Sequence, residues 1–208
     1  MKLRTLGPAG ALALCLFGAG PVLAHEHFYE VVLTGAGLSG SGATGTALVT
    51  LDLDLITARV EASFSGLLGG SLGIQLHCCT AVPGSGTAMG AMADTSPAGF
   101  TPGVGSGSFD ITYDLTQGAT YSPAFITASG GMVVDGLNAL INGSEAGTMY
   151  LSISSSAFPG GEISGFLVEQ VEAVPEPAAY ALMLAGLAAV GALARRHRRA
   201  GSPQQVAR

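Results

Sequence analysis

The chain of 208 residues predicts an all-β fold: an antiparallel Greek-key sandwich or barrel with one short helical insertion. Three observations lead there. Apolar and polar residues alternate with period two over several segments, as in strands that bury one face. Glycine is abundant, at 32 residues, tryptophan is absent, and charged residues make up only 11% of the chain. A helical bundle draws on charged helix formers, whereas short strands joined by Gly-rich turns do not. Finally, turn-forming clusters of Gly, Ser and Pro recur between the alternating segments.

The elements follow in order. Residues 28–34, FYEVVLT, read as a first strand, and a Gly/Ser-rich turn at 35–45 follows. Thr46 to Leu55 and Thr57 to Gly66 form a hairpin. In the first arm Leu51, Leu53 and Leu55 share a face, opposite Asp52 and Asp54; in the second Val60, Ala62 and Phe64 alternate with Arg59, Glu61 and Ser63. Residues 72–77, LGIQLH, give a fourth strand, and a long Gly/Pro/Ala/Met loop runs from Cys78 to about Gly105. Phe109, Ile111, Tyr113 and Leu115 alternate as another strand. Residues 132–142, MVVDGLNALIN, have helical spacing. Met149 to Ser154 and Glu162 to Val168 close the domain across the turn Phe158-Pro159-Gly160-Gly161. There Pro159 sets one turn angle, and Gly160 and Gly161 permit positive φ.

Both ends read as processing signals. Residues 1–24 have a charged start (Lys2, Arg4), an apolar middle and a Val22-Leu23-Ala24 exit, which places a signal-peptidase cut before His25. Leu14, before Cys15, is too large for a lipoprotein signal. At the other end, Pro175-Glu176-Pro177 precedes an uncharged run, Ala178 to Ala194, closed by Arg195, Arg196, His197, Arg198 and Arg199. Seventeen residues rise about 26 Å as a helix, enough for a bilayer core. The basic cluster holds its own side in the cytoplasm. The expected division is a signal peptide at 1–24, a β domain at 25–172, a sorting segment at 173–200 with a transmembrane helix at 178–194, and a cytoplasmic tail at 201–208.

This tail resembles the PEP-CTERM sorting signal of Gram-negative bacteria. The resemblance implies retention in the inner membrane facing the periplasm, cleavage by an exosortase near the Pro-Glu-Pro, and transfer to the cell surface or medium. The closing block YLSISSSAFPGGEISGFL (150–167) resembles the end of the CHRD domain, with Phe158, Pro159, Gly160, Gly161, Glu162, Ile163, Gly165 and Leu167 in place. IQLHCCT (74–80), the opening YEVVLTGA and YSPAFITASGG (121–131) also fit, so the resemblance spans about 28–170. It implies the CHRD fold, superficially like superoxide dismutase.

Between His25 and Gln170 one basic residue, Arg59, stands against twelve acids, a net of −11 with histidines neutral. Such a surface lacks the Lys/Arg footprint that nucleic acid or anionic lipid requires, which excludes nucleic acid as a partner.

The candidate site is His77-Cys78-Cys79. Two imidazoles in a His-x-His strand can share a face and hold copper. Here Gln75 stands where the CHRD family often has its first His, Ser154 replaces a His of the closing strand, and Ser164 replaces an Arg. With Cys15 removed in the signal peptide, Cys78 and Cys79 have three options outside the cytoplasm. They can form a vicinal disulfide, pair with another chain, or bind a soft metal such as Cu(I) with His77. His25, carrying the new α-amine, and His27 add a possible copper hook. Glu162 reads as a structural residue bonding nearby backbone. No nucleophile elbow, P-loop or H-E-x-x-H is expected. The expectation is a non-enzymatic, exported surface or exopolysaccharide-matrix protein without a cofactor, with carbohydrate or surface proteins as partners. The alternative is a copper-binding domain.

Overall fold

A computed structural model describes residues 25–36, 39–170 and 177–200. The signal peptide at 1–24, with Cys15, the motif residues Pro175 and Glu176, and the tail at 201–208 lie outside the described residues. Two compact units are present: the β domain, reaching to Gln170, and the C-terminal helix.

Among the described residues nine strands form one antiparallel sheet that curls into a half-barrel. They are β1 (Glu26–Thr34), β2 (Thr44–Asp52), β3 (Thr57–Ser65), β4 (Ser71–Cys78), β5 (Met89–Gly90), β6 (Gly107–Asp114), β7 (Tyr150–Ser155), β8 (Ile163–Phe166) and β9 (Val168–Glu169). The spatial order is β5-β4-β7-β8-β1-β2-β3-β6, and β9 also pairs with β1. β1, β2, β3 and β6 form a continuous ladder whose registers place Tyr29, Val49, Val60 and Ile111 in one inward row. All four are buried. Alternation dictates this: each of the four is followed by a polar residue on the other face.

The hairpin ends earlier than the leucine alternation suggests. β2 stops at Asp52, whose carboxylate accepts the N–H groups of Asp54 (2.9 Å) and Leu55 (2.8 Å). This Asx turn takes Leu53 to Ile56 out of the strand and leaves Leu55 70% exposed. Ile56 turns the corner at φ 53°, a left-handed conformation rare for a β-branched residue.

Two helices stand where one was expected. α1 (Pro123–Ser129) is capped by Ser122, whose hydroxyl accepts the Phe125 N–H at 3.2 Å, with Pro123 in the first turn. α2 (Val133–Glu145) meets it at 82° and runs three residues past the expected end. Gly136 lets the helices touch, since a Cβ there would lie 2.6 Å from Ile126 Cδ1. α2 docks on the sheet through Leu140 and Ser144; the Tyr29 hydroxyl donates to Ser144 Oγ at 3.1 Å.

The loop after β4 is an ordered cover. Ala91 N–H donates to Leu76 O, and Ile74 N–H to Thr95 O, so the returning chain runs along β4. Ala91, Met92 and Phe100 are buried, and Phe100 meets Phe109 edge-on at 5.6 Å.

The C-terminal unit is α3 (Pro177–Ala200). Its apolar stretch is Ala181–Ala192, and Arg195, Arg196, Arg198 and Arg199 fall in its last turns. Among the described residues no single helix is long and apolar enough to cross a membrane.

Candidate functional site

β4 divides the predicted site residues between its two faces. Ile74, Leu76 and Cys78 face the core, whereas Gln75 and His77 face outward beneath the covering loop. Neighbours on a strand point oppositely, so His77 and Cys78 diverge.

His77 is fully engaged. Its ring stacks on that of its cross-strand partner Tyr150, with centroids 4.3 Å apart and planes 3° from parallel. Nδ1 lies 3.0 Å from Ala88 O, and Nε2 lies 2.9 Å from Ser152 Oγ. A neutral ring with its proton on Nδ1 satisfies both partners, donating to the carbonyl and accepting the serine hydroxyl at Nε2. Burial pushes the His77 pKa down, opposed by the Ala88 carbonyl. The Tyr150 hydroxyl also bonds Ala88, at 3.2 Å. Next to His77, Gln75 donates to Met92 O at 3.1 Å, while its buried Oε1 has no partner. Its amide packs against Gly90, where any side chain would collide with it. His77, Gln75, Tyr150 and Ser152 therefore fasten the loop to the sheet.

Cys78 and Cys79 are joined in a vicinal disulfide. Cys78 is 3% exposed; Cys79, past the end of the strand, is open to solvent. Both sulfurs lie against the Ala139 carbonyl oxygen of α2, at 3.4 and 3.5 Å. Gly143 makes the approach feasible, for a Cβ there would sit 2.5 Å from Cys78 Sγ and 3.1 Å from Cys79 Sγ. A pocket of about 340 Å³ opens over the disulfide, walled by Ala88, Met89, Phe125, Ala128, Ser129 and Ala139.

In this oxidised arrangement the three residues do not fit copper. The sulfurs are bonded to each other and both ring nitrogens of His77 have partners. Among the described residues no three His, Cys, Asp or Glu side chains cluster as a metal site. His25 and His27 face different carboxylates, Asp54 at 3.2 Å and Glu169 at 3.1 Å.

The Phe158–Gly161 turn is tied by Phe158 N–H to Ser155 O (3.1 Å) and Gly161 N–H to Phe158 O (3.0 Å). Gly161 adopts a positive φ of 124°; Gly160, expected to share that role, does not. Glu162 is wholly buried, and Oε1 accepts Leu68 N–H at 2.8 Å. Oε2 meets no donor at full hydrogen-bond geometry. Burial pushes the Glu162 pKa up, but the Ser155 hydroxyl, Leu68 N–H, Ser41 hydroxyl and Gly69 N–H together outweigh it and leave the pKa low. Gly165 lets β8 approach β1, because a side chain would strike the Val32 carbonyl. The expected closing strand from Glu162 to Val168 is broken at Leu167, which is buried and donates its N–H to Met149 O.

One pattern the strand reading overlooks is Gly69-Gly70-Ser71-Leu72-Gly73, which spells the G-x-S-x-G of a nucleophile elbow. The structure removes that meaning. Ser71 opens a strand rather than a strand-to-helix turn, has no exposed surface, and donates to Thr101 O at 2.9 Å while accepting Val104 N–H at 3.2 Å.

Residues 29–167, from the first core tyrosine to the end of the closing hairpin, match the CHRD domain. The chain belongs to the CHRD domain family. Residues 173–199 match the PEP-CTERM protein-sorting motif, which marks an exported protein processed by an exosortase. Searches of curated proteins and of solved structures gave no match. Within the CHRD domain, the closing block from Phe158 to Leu167 thus serves as a turn, a buried carboxylate and a close strand contact.

Proposed function

We propose that the protein is a non-enzymatic component of the cell surface or exopolysaccharide matrix, holding carbohydrate or other surface proteins through its CHRD domain. Signal peptidase frees the N-terminus at His25, the 178–194 segment anchors the precursor in the inner membrane, and an exosortase releases the domain. The observation that carries this reading is the sorting motif directly behind the CHRD domain. The strongly acidic, nearly lysine- and arginine-free domain suits solubility outside the cell.

Intact mass of the protein recovered from the surface or medium of its native host tests the reading. A species ending near Pro175–Pro177, retained by exopolysaccharide, is expected. A species running through to Arg208 and confined to the inner membrane would overturn it. Stoichiometric copper on the native mass would replace it with the metal-handling alternative.

A further inference from the structure

We infer that the Cys78–Cys79 disulfide is a thiol-exchange site, with Cys79 the sulfur attacked and the pocket above it the entry for a small, uncharged thiol. The inference is independent of the matrix role and rests on three features of the β4–α2 junction.

The two sulfurs are unequal. Cys78 is buried against the core, whereas Cys79 is exposed; both sulfurs edge the pocket, but the open approach for an incoming sulfur is to Cys79. Access of this kind decides which half of a disulfide reacts. The pocket, about 340 Å³, is walled by Met89, Phe125 and small alanines and holds no charged side chain. That volume is at the low end for small-molecule sites and favours an uncharged ligand. The helix is also cut to fit the sulfurs, because at Gly143 even a methyl group would meet both.

Adjacent cysteines close a ring that forces their Cα atoms nearer than an ordinary disulfide, which makes the bond readily opened. The thiolate attacks Cys79 Sγ, a new sulfur–sulfur bond forms to it, and the Cys78–Cys79 bond breaks. Cys78 leaves with the electron pair and takes a proton from water in the pocket. As a thiol it donates to the Ala139 carbonyl, 3.4 Å away. A second thiol attacks the sulfur of the first, releasing Cys79. Two thiols are thereby oxidised to one disulfide, and the protein disulfide is reduced to a dithiol. A buried, protonated Cys78 is a poor nucleophile, so the opened form persists.

The test uses the mature protein with 2-mercaptoethanol as the neutral thiol, followed by maleimide trapping and peptide mass mapping. Native protein should open without unfolding, and Cys79 should be alkylated at least about tenfold faster than Cys78. With an oxidised thiol as probe, Cys78→Ser should hold a stable mixed disulfide on Cys79, while Cys79→Ser should form none. Ala128→Leu, which narrows the pocket, should slow opening while leaving the circular dichroism spectrum unchanged. Opening only in denaturant, or equal labelling of the two cysteines, would overturn the inference.

Discussion

In β1, β2, β3 and β6 the outward side chains meet solvent: Glu30, Thr46, Glu61 and Asp110 lie on an open polar face. In β4 and β7 the outward side chains are covered. Tyr150 and Ser152 are buried, His77 is half-buried, and the chain from Thr80 to Phe100 seals them. One half of the sheet is stabilised by its inner face alone; the other is packed on both sides. A strand clad on both faces depends on every partner being present, whereas a strand with a wet face tolerates change there.

The comparison breaks first, and most, at β7. Tyr150→Ala, at a buried position on the covered outer face, is expected to cost about 2–5 kcal/mol, read as a drop in the urea midpoint. Leu48→Ala on the wet face of β2 should cost about 0.5 kcal/mol or less in the same experiment. Equal losses would erase the distinction between the halves. Glu162→Ala comes next. It strands the Leu68 N–H in the connection between β3 and β4, and about 1–3 kcal/mol of stability should be lost.

A smaller effect comes from acid. The unfolded chain protonates His77 near the ordinary 6.5, but the folded chain does so only at lower pH. Stability is therefore complete above that value and falls as the pH drops through the interval below it. His77→Gln should flatten this part of the melting-temperature profile; a profile identical to that of the parent would show that His77 is not its source. The smallest effect belongs to the wet face. Arg59 donates to Asp110 through Nε (2.9 Å) and Nη2 (2.6 Å), but the pair is exposed, so Arg59→Ala should leave the urea midpoint unmoved. A clear shift would mean that the outer face contributes more than its exposure implies.

The wet half was legible in the sequence because alternation is local: Val60, Ala62 and Phe64 need no distant partner to declare their side. The end of β2 was not, since Asp52 fits a strand pattern equally well as a turn cap. α1 left a readable signal in Ser122-Pro123, a cap followed by a first-turn proline, but its seven residues are too few for a clear helical period. The clad half was the least legible. His77 joins Ser152 across 75 residues and Glu162 reaches Leu68 across 94, and neither separation leaves a pattern in the chain. The His-Cys-Cys run reads as a cluster in one dimension, yet the pleat sends His77 and Cys78 to opposite faces.

The scarcity of basic residues has a consequence for survival outside the cell. Between His25 and Gln170 a trypsin-like protease has a single bond to cut, Arg59–Val60. That bond lies inside β3, hydrogen-bonded to β2 on one side and β6 on the other, with Val60 wholly buried. A protease needs an extended, detached segment, so cleavage waits on unzipping the middle of the sheet. The domain is thus suited to endure digestion by peptidases that cut after basic residues for as long as its fold lasts.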